Sequence, residues 1–260
     1  MQDEGSRPRV ALITGATGWI GTAIARRLAD AGLAVALTGR RAERLEELRE
    51  ELSPGEGPLP VLAVAADLTD PAQVQAAVDR VLGQFGRIDV LVNNAGAWSG
   101  SAIGPFTDKT FEQLRTEVDN NLMSAVYMSR AVLPGMVQAG FGRIVNISSV
   151  AGIVALEGHS AYSAAKLGMT GLARQLGVEY AAHGITVNCL APGAVATPLT
   201  RQRLASAEPP ARLTALVEGT PSGRLTTPEE VAAAVAFLVS DEAAPINGQT
   251  IALDGGLTAS

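Results

Sequence analysis

One cysteine, Cys189, occurs in 260 residues, so no internal disulfide can form, and neither paired cysteines nor an HExxH segment supplies the spacing of a zinc site. Histidine is almost as scarce, with only His159 and His183. Basic excess is missing too: 26 acidic against 20 basic side chains give a net charge of -6, which leaves no cationic face to gather phosphates along nucleic acid. The same deficit argues against an anionic membrane surface. No apolar run approaches the ~18 residues of a spanning helix, and Val231 to Val239, rich in alanine, suits a buried helix. The opening MQDEGSRPRV is polar where a signal peptide needs an apolar core. The expectation is therefore one soluble domain in a reducing cytoplasm, with no metal, membrane or nucleic-acid partner.

What is present alternates. Apolar, branched runs at Val10 to Ile13, Ala34 to Thr38, Pro60 to Ala65, Ile88 to Val92, Arg143 to Ile147, Ile185 to Leu190 and Thr250 to Leu253 read as strands buried on both faces. Between them, Ile20 to Ala31, Ala42 to Leu52, Pro71 to Phe85, Thr110 to Leu133, Ala161 to His183 and Pro228 to Val239 have helical spacing. Asp70 before Pro71 and Thr227 before Pro228 look like caps, while Gly32 and Gly184 suit helix ends. Strand and helix in alternation predict an α/β fold, a doubly wound parallel sheet with helices on both faces, binding its ligand beyond the carboxyl ends of the strands. The stretch from Thr197 to Thr227, rich in Pro, Ser, Thr and Arg, reads as a substrate flap with a short helix.

Between the first strand and first helix lies TGATGWIG, running from Thr14 through Gly15, Thr17, Gly18, Trp19 and Ile20 to Gly21. Glycines here let the backbone turn sharply and approach a pyrophosphate, whose charge the free amides of a helix start stabilise. No GK[ST] follows, which excludes a P-loop. At the end of the second strand an NAD-selective site would carry a carboxylate for the ribose 2′-hydroxyl, yet Arg40 and Arg41 stand there. Two guanidiniums suit a 2′-phosphate, hence NADP(H); a solvated helix start is the alternative.

Tyr162 and Lys166 form the most informative pair. With three tyrosines and two lysines in the chain, chance would place a Tyr four residues before a Lys about 0.02 times. On a helix that spacing shares a face, so the ammonium should favour the phenolate and bring proton transfer within reach of neutral pH. Ser149, thirteen residues earlier and just past a buried strand, can hydrogen-bond a substrate oxygen at the same crevice. Nothing matches GxSxG, so a serine nucleophile with a histidine base finds no support.

The order of the glycine turn, NNAG at Asn93 to Gly96, Asn121, Ser149, Tyr162, Lys166 and PGAVAT at Pro192 to Thr197 resembles the short-chain dehydrogenase/reductase family over essentially the whole chain, in its single-domain branch of 3-oxoacyl-carrier-protein-reductase-like members. The resemblance implies a Rossmann-type seven-stranded parallel sheet and a catalytic set of Asn121, Ser149, Tyr162 and Lys166. In it Tyr162 passes the proton, Ser149 polarises the carbonyl, Lys166 lowers the phenol pKa and holds the nicotinamide ribose, and Asn121 supports a water relay. It also implies cofactor contacts from Asp67 and Leu68, from Asn94, Ala95 and Gly96, and from Pro192, Gly193, Val195 and Thr197, and it implies a homotetramer. For Asp67 a helix cap is the competing reading.

One departure stands out. The single-domain branch reads TGxxxGxG, whereas Gly18 and Trp19 give the TGxxGxxG of the larger, extended branch. At 260 residues there is no room for that branch's added substrate region, and the tail GQTIALDGG resembles the single-domain form. The expected reaction is hydride transfer between NADP(H) and a carbonyl or secondary alcohol, free or carrier-linked, with NAD(H) as the second choice of cofactor. A non-catalytic NADP(H)-sensing protein is the rival, though it needs no Tyr162, Lys166 and Ser149 set. Trp98, Ala151, Ile153, Leu199 and the flap are candidates to border the substrate.

Overall fold

Neighbouring residues of each strand are apolar in turn because they feed two different cores. In the computed structural model, which describes residues 8–53, 59–96, 103–209 and 211–259, β1 is Val10–Thr14, β2 Ala34–Gly39, β3 Val61–Ala65, β4 Val90–Asn93, β5 Gly142–Ile147, β6 Ile185–Pro192 and β7 Thr250–Leu253. Val10 and Leu12 point into the layer formed by α3 (Pro71–Phe85), α5 (Ser124–Ala139) and α6 (Ser160–Tyr180). Ala11 and Ile13 point the other way, against α1 (Trp19–Asp30), α2 (Ala42–Leu52) and α9 (Pro228–Leu238). Burying each large side chain of this kind contributes about 1.5–3 kcal/mol relative to leaving it exposed. All seven apolar runs are thus strands, and both sheet faces are covered, as in a Rossmann-type doubly wound fold.

Every ladder is parallel and the spatial order is β3-β2-β1-β4-β5-β6-β7. The chain moves outward from β1 to β3, then returns to lay β4 on the other side of β1. A crevice opens at that reversal, beyond the carboxyl ends of β1 and β4. The helix punctuation follows the sequence: Asp70 accepts from Ala72 N at 2.9 Å behind Pro71, and Thr227 forms a capping box with Glu230 around Pro228. Gly184 closes the turn after α6 with φ at +71°, a conformation glycine adopts without penalty.

Two elements differ from the sequence reading. The helix expected from Thr110 to Leu133 is α4 (Phe111–Val118), a wide π-turn over Asp119–Met123, and α5, which runs on through Pro134 to Ala139. Proline should have ended it; burial of Met136 in the sheet-facing core outweighs that preference. The wide turn carries Asn121 inward, where it is wholly buried, and such turns are known to mark functional positions. The flap holds two short helices, α7 (Pro198–Leu204) and α8 (Ala211–Glu218). Its ends are pinned together, since Ala196 N donates to Thr226 O at 2.8 Å and Thr226 N to Ala194 O at 3.2 Å. Among the described residues no helix is long and apolar enough to cross a membrane.

Candidate active site

The glycine turn after β1 is stitched to the loop after β4. Thr14 Oγ1 accepts from Asn94 N at 2.9 Å and Ala95 N at 2.8 Å, while Asn94 Nδ2 donates to Thr14 O at 3.0 Å and Gly15 O at 3.1 Å. Gly15 has φ at +61°, and a Cβ there would lie 2.9 Å from Ala95 Cα. At Gly21 a Cβ would meet Gly15 O at 2.3 Å and Asn94 Nδ2 at 2.8 Å. Gly18 begins α1 without a side-chain cap, so the first amides of that helix stay available to an anion. We expect Gly21→Ala to lower unfolding free energy by about 1–3 kcal/mol, the usual cost of overpacking, and to weaken dinucleotide affinity about tenfold. Denaturant titration and cofactor titration would check both.

A groove of about 420 Å³ leaves this turn. Gly15, Thr17 and Gly18 form one wall, Ala95 and Gly96 another, and Arg40, Arg41, Asp67 and Leu68 the far end. Arg41 Nη2 donates to Thr17 Oγ1 at 3.0 Å and to Thr17 O at 3.2 Å, so its guanidinium lies over the turn. Arg40 is exposed. Asp67 is no helix cap; that role falls to Asp70. Its carboxylate accepts from Thr69 N at 3.0 Å and Thr69 Oγ1 at 2.8 Å, and these bonds, with the Arg40 charge adding to them, hold it below the usual carboxylate range. Trp19 is 58% exposed and stands with Arg44 and Pro198 in a neighbouring trough on the outer side of α1. The indole therefore leaves the groove open despite replacing a glycine.

Beyond Gly96 the groove leads to a cavity of about 150 Å³ lined by Ile20, Asn94, Ser149, Tyr162, Lys166, Pro192, Gly193 and Val195. Two contacts bring β5 and α6 together here. Ser148 Oγ donates to Lys166 O at 2.8 Å, and the turn Val150–Gly152 packs so closely on α6 that a Cβ at Gly152 would lie 2.9 Å from Lys166 C. Ser149, just past the end of β5, consequently sits beside the Tyr162 phenol, its Oγ accepting from Ala151 N at 3.2 Å. Lys166 Nζ lies 5.6 Å from the Tyr162 ring centroid and donates to Ile147 O at 2.9 Å. Asn121 lies behind this cavity, its Nδ2 donating to Glu117 O at 3.0 Å. A Cβ on Gly96 would come 2.5 Å from Asn121 Oδ1, which is why the NNAG loop ends in glycine.

The electrostatics correct one expectation. The Tyr162 phenol is pushed up, not down: burial is the largest cause, the Ser149 hydrogen bond opposes it, and the Glu117 charge adds to it. The Lys166 ammonium, donating to the Ile147 carbonyl, does not offset this rise. Burial instead brings Lys166 itself down to about 8.

Pro192, Gly193 and Val195 reach the cavity, whereas Thr197 caps α7 by accepting from Thr200 N at 3.2 Å. Ala151 is buried and Ile153 is 45% exposed. Trp98 lies outside the described residues, as does the Leu199 side chain. Sequence reasoning missed Glu117, a carboxylate 3% exposed whose Oε2 accepts from Asn121 Nδ2 at 3.3 Å. Its spacing of four from Asn121 was the available signal.

A glycine turn shaped for close backbone approach, a groove with arginines at its far end and a cavity lined by Ser149, Tyr162 and Lys166 form one continuous run that fits a dinucleotide ending in a reactive ring. The family model described as Enoyl-(Acyl carrier protein) reductase matches residues 15–258. D-threitol dehydrogenase of Mycolicibacterium smegmatis is 40% identical over 250 residues, covering 96% of this chain and 93% of that protein. 3-oxoacyl-[acyl-carrier-protein] reductase FabG of Escherichia coli is 37% identical, covering 96% and 97%. The crystal structure of levodione reductase superposes with a TM-score of 0.90 at 36% identity, covering 98% of this chain and 99% of that one.

Proposed function

The chain belongs to the short-chain dehydrogenase/reductase family of nicotinamide-dependent oxidoreductases, and from that premise we propose that it interconverts a carbonyl and a secondary alcohol using NADP(H), with Tyr162 as the acid/base. The observation that carries this reading is the convergence of the Ser149 hydroxyl, the Tyr162 phenol and the Lys166 ammonium at the end of the groove. When bound, the nicotinamide supplies or accepts the hydride.

Thr14 and Asn94 brace the glycine turn; Gly15, Thr17, Gly18, Ile20 and Gly21 hold the pyrophosphate against the start of α1, with Trp19 as part of that turn. Arg40 and Arg41 take the 2′-phosphate, Asp67 and Leu68 the adenine side, and Ala95 and Gly96 the middle of the cofactor. Pro192, Gly193, Val195 and Thr197 flank its reactive ring, and Lys166 holds the nearby ribose. At the reacting oxygen, Ser149 donates a hydrogen bond and Tyr162 gives or takes the proton. Burial keeps the phenol protonated at neutral pH, which suits reduction. Asn121 supports the path by which that proton is replaced.

Residues 1–260 act as one cofactor-binding and catalytic unit, with 197–227 closing over the substrate. The exposed Phe111, Leu167 and Val178 on α4 and α6 support a homotetramer, which sizing in solution would test. Relatives named for D-threitol and for 3-oxoacyl groups on a carrier protein put both free and carrier-linked substrates on the test panel. Ketones and alcohols of both kinds, assayed with NADPH and with NADH, decide the matter; cofactor binding without any turnover would favour the sensing protein instead. Arg40→Asp should weaken NADPH about 10–100-fold, the range for losing a charged hydrogen bond, and leave NADH binding as tight or tighter. Equal NADPH affinity in the variant would remove Arg40 from the phosphate site.

A further inference from the structure

Glu117 is a buried carboxylate that the Asn121, Ser149, Tyr162 and Lys166 set does not use. It sits on the last turn of α4, 3% exposed, directly before the π-turn that carries Asn121 inward. Burying a carboxylate is costly, so its neighbours have to repay it. Asn121 Nδ2 is shared between Glu117 O at 3.0 Å and Glu117 Oε2 at 3.3 Å. A carboxylate only accepts hydrogen bonds, so it compels the amide nitrogen to face it and turns Oδ1 toward Gly96 and the cofactor side.

We propose that Glu117 is a positioning residue of this centre, orienting the Asn121 amide from behind the cavity. The inference rests on the proposed oxidoreductase reading.

Its field reaches both partners on α6 and disfavours the phenolate while favouring the ammonium. Among the described residues the other titratable groups near the pair are few. Cys189, on β6, is the neighbour with the larger influence on Lys166, but burial pushes its thiol up to about 11, so it carries no charge at neutral pH. The His159 ring lies 6.4 Å from that of Tyr162, edge on. Asp119, in the π-turn, is partly exposed and water screens it. Among the described residues, Glu117 is thus the buried carboxylate whose field reaches Lys166.

The test compares the parent protein with Glu117→Gln, which keeps the shape, and Glu117→Asp, which keeps the charge. Two readouts are taken: the rising limb of kcat/KM against pH for alcohol oxidation, and the ultraviolet titration of the tyrosinate, isolated by subtracting the Tyr162→Phe protein. Removing the charge favours the phenolate, so Glu117→Gln should move both to lower pH by at least about half a unit, or threefold in the proton-binding constant. Glu117→Asp should keep the parent's limb, with a lower kcat from the displaced amide. Should the Gln protein fail to fold by circular dichroism, Glu117→Met takes its place with the same expected shift. A lower rate with an unmoved limb and titration would overturn the inference and leave Glu117 a packing residue. A parent protein that turns over no alcohol would instead sink the oxidoreductase reading, while the tyrosinate titration would still decide the role of Glu117.

Discussion

Tyr162→Phe should lower kcat by about 10²–10⁴-fold, the contribution of a positioned general acid, with cofactor affinity unchanged. The phenyl ring keeps its place between α6 and the turn after β5, since Ser148 and the close packing at Gly152 hold that geometry without the hydroxyl. What vanishes is one O–H and the bond it shares with Ser149. The sign of the pH dependence makes the experiment sharper. Burial raises the phenol above its ordinary ~10, so the group is protonated throughout the neutral range and reduction should be flat there. Oxidation must first remove that proton, so its rate in the parent should climb as pH rises. In the Phe protein the residual oxidation should lose this slope. Retention of the parent's kcat, or an unchanged slope at reduced rate, would take the proton away from Tyr162 and assign it elsewhere in the cavity.

What the sequence disclosed was whatever depends on local pattern. The seven strands were legible because short apolar runs flanked by helical segments fit strands buried on both faces, and Asp70, Thr227 and Gly184 were legible because caps act over three or four residues. Tyr162 and Lys166 were placed on one face by helical arithmetic alone. The wide turn at Asp119–Met123 escaped because one extra residue in a helix leaves the apolar spacing on either side intact. Continuation through Pro134 escaped because the compensation comes from the sheet, not from the helix. The course of Trp19, which shifts the glycine spacing, escaped too, since its direction is set by where α1 begins, and the side chain leaves toward Arg44 and Pro198.

The phenol shows the same limit in energetic form. Spacing gives the separation of two groups but not the depth at which they lie, and depth decided the outcome: both Tyr162 and Lys166 are shifted toward their neutral forms, with burial the largest cause for each. Glu117 was hidden for a related reason. In the sequence it is one of 26 acidic residues, and only the inward turn of α4 separates it from the solvated ones.

Lys166→Met carries the second large effect, a loss of activity together with a change in how stability depends on pH. Turnover should fall at least about 10²-fold, as for loss of other acid–base partners, and cofactor affinity should weaken with the loss of the ribose contact proposed for Lys166. Stability is governed by burial. The lysine drops from 10.5 to about 8 on folding, and at about 1.4 kcal/mol per unit keeping the ammonium buried costs about 3 kcal/mol. Because the folded value lies below the unfolded one, the full cost applies below pH 8 and disappears as pH rises through the unfolded value. Methionine removes this cost but leaves the Ile147 carbonyl without its 2.9 Å donor, a loss of about 1–3 kcal/mol. The absolute change at pH 7 is therefore small. Its pH dependence is not: relative to the variant, the parent should gain about 3 kcal/mol between pH 7 and pH 10.5. Cys189 and Tyr162, both raised on folding, pull stability the other way in alkaline solution. They are present in both proteins, so the difference between the two isolates the lysine. Urea unfolding of parent and variant across that range measures it, and parallel curves would mean that folding leaves the Lys166 ammonium unshifted.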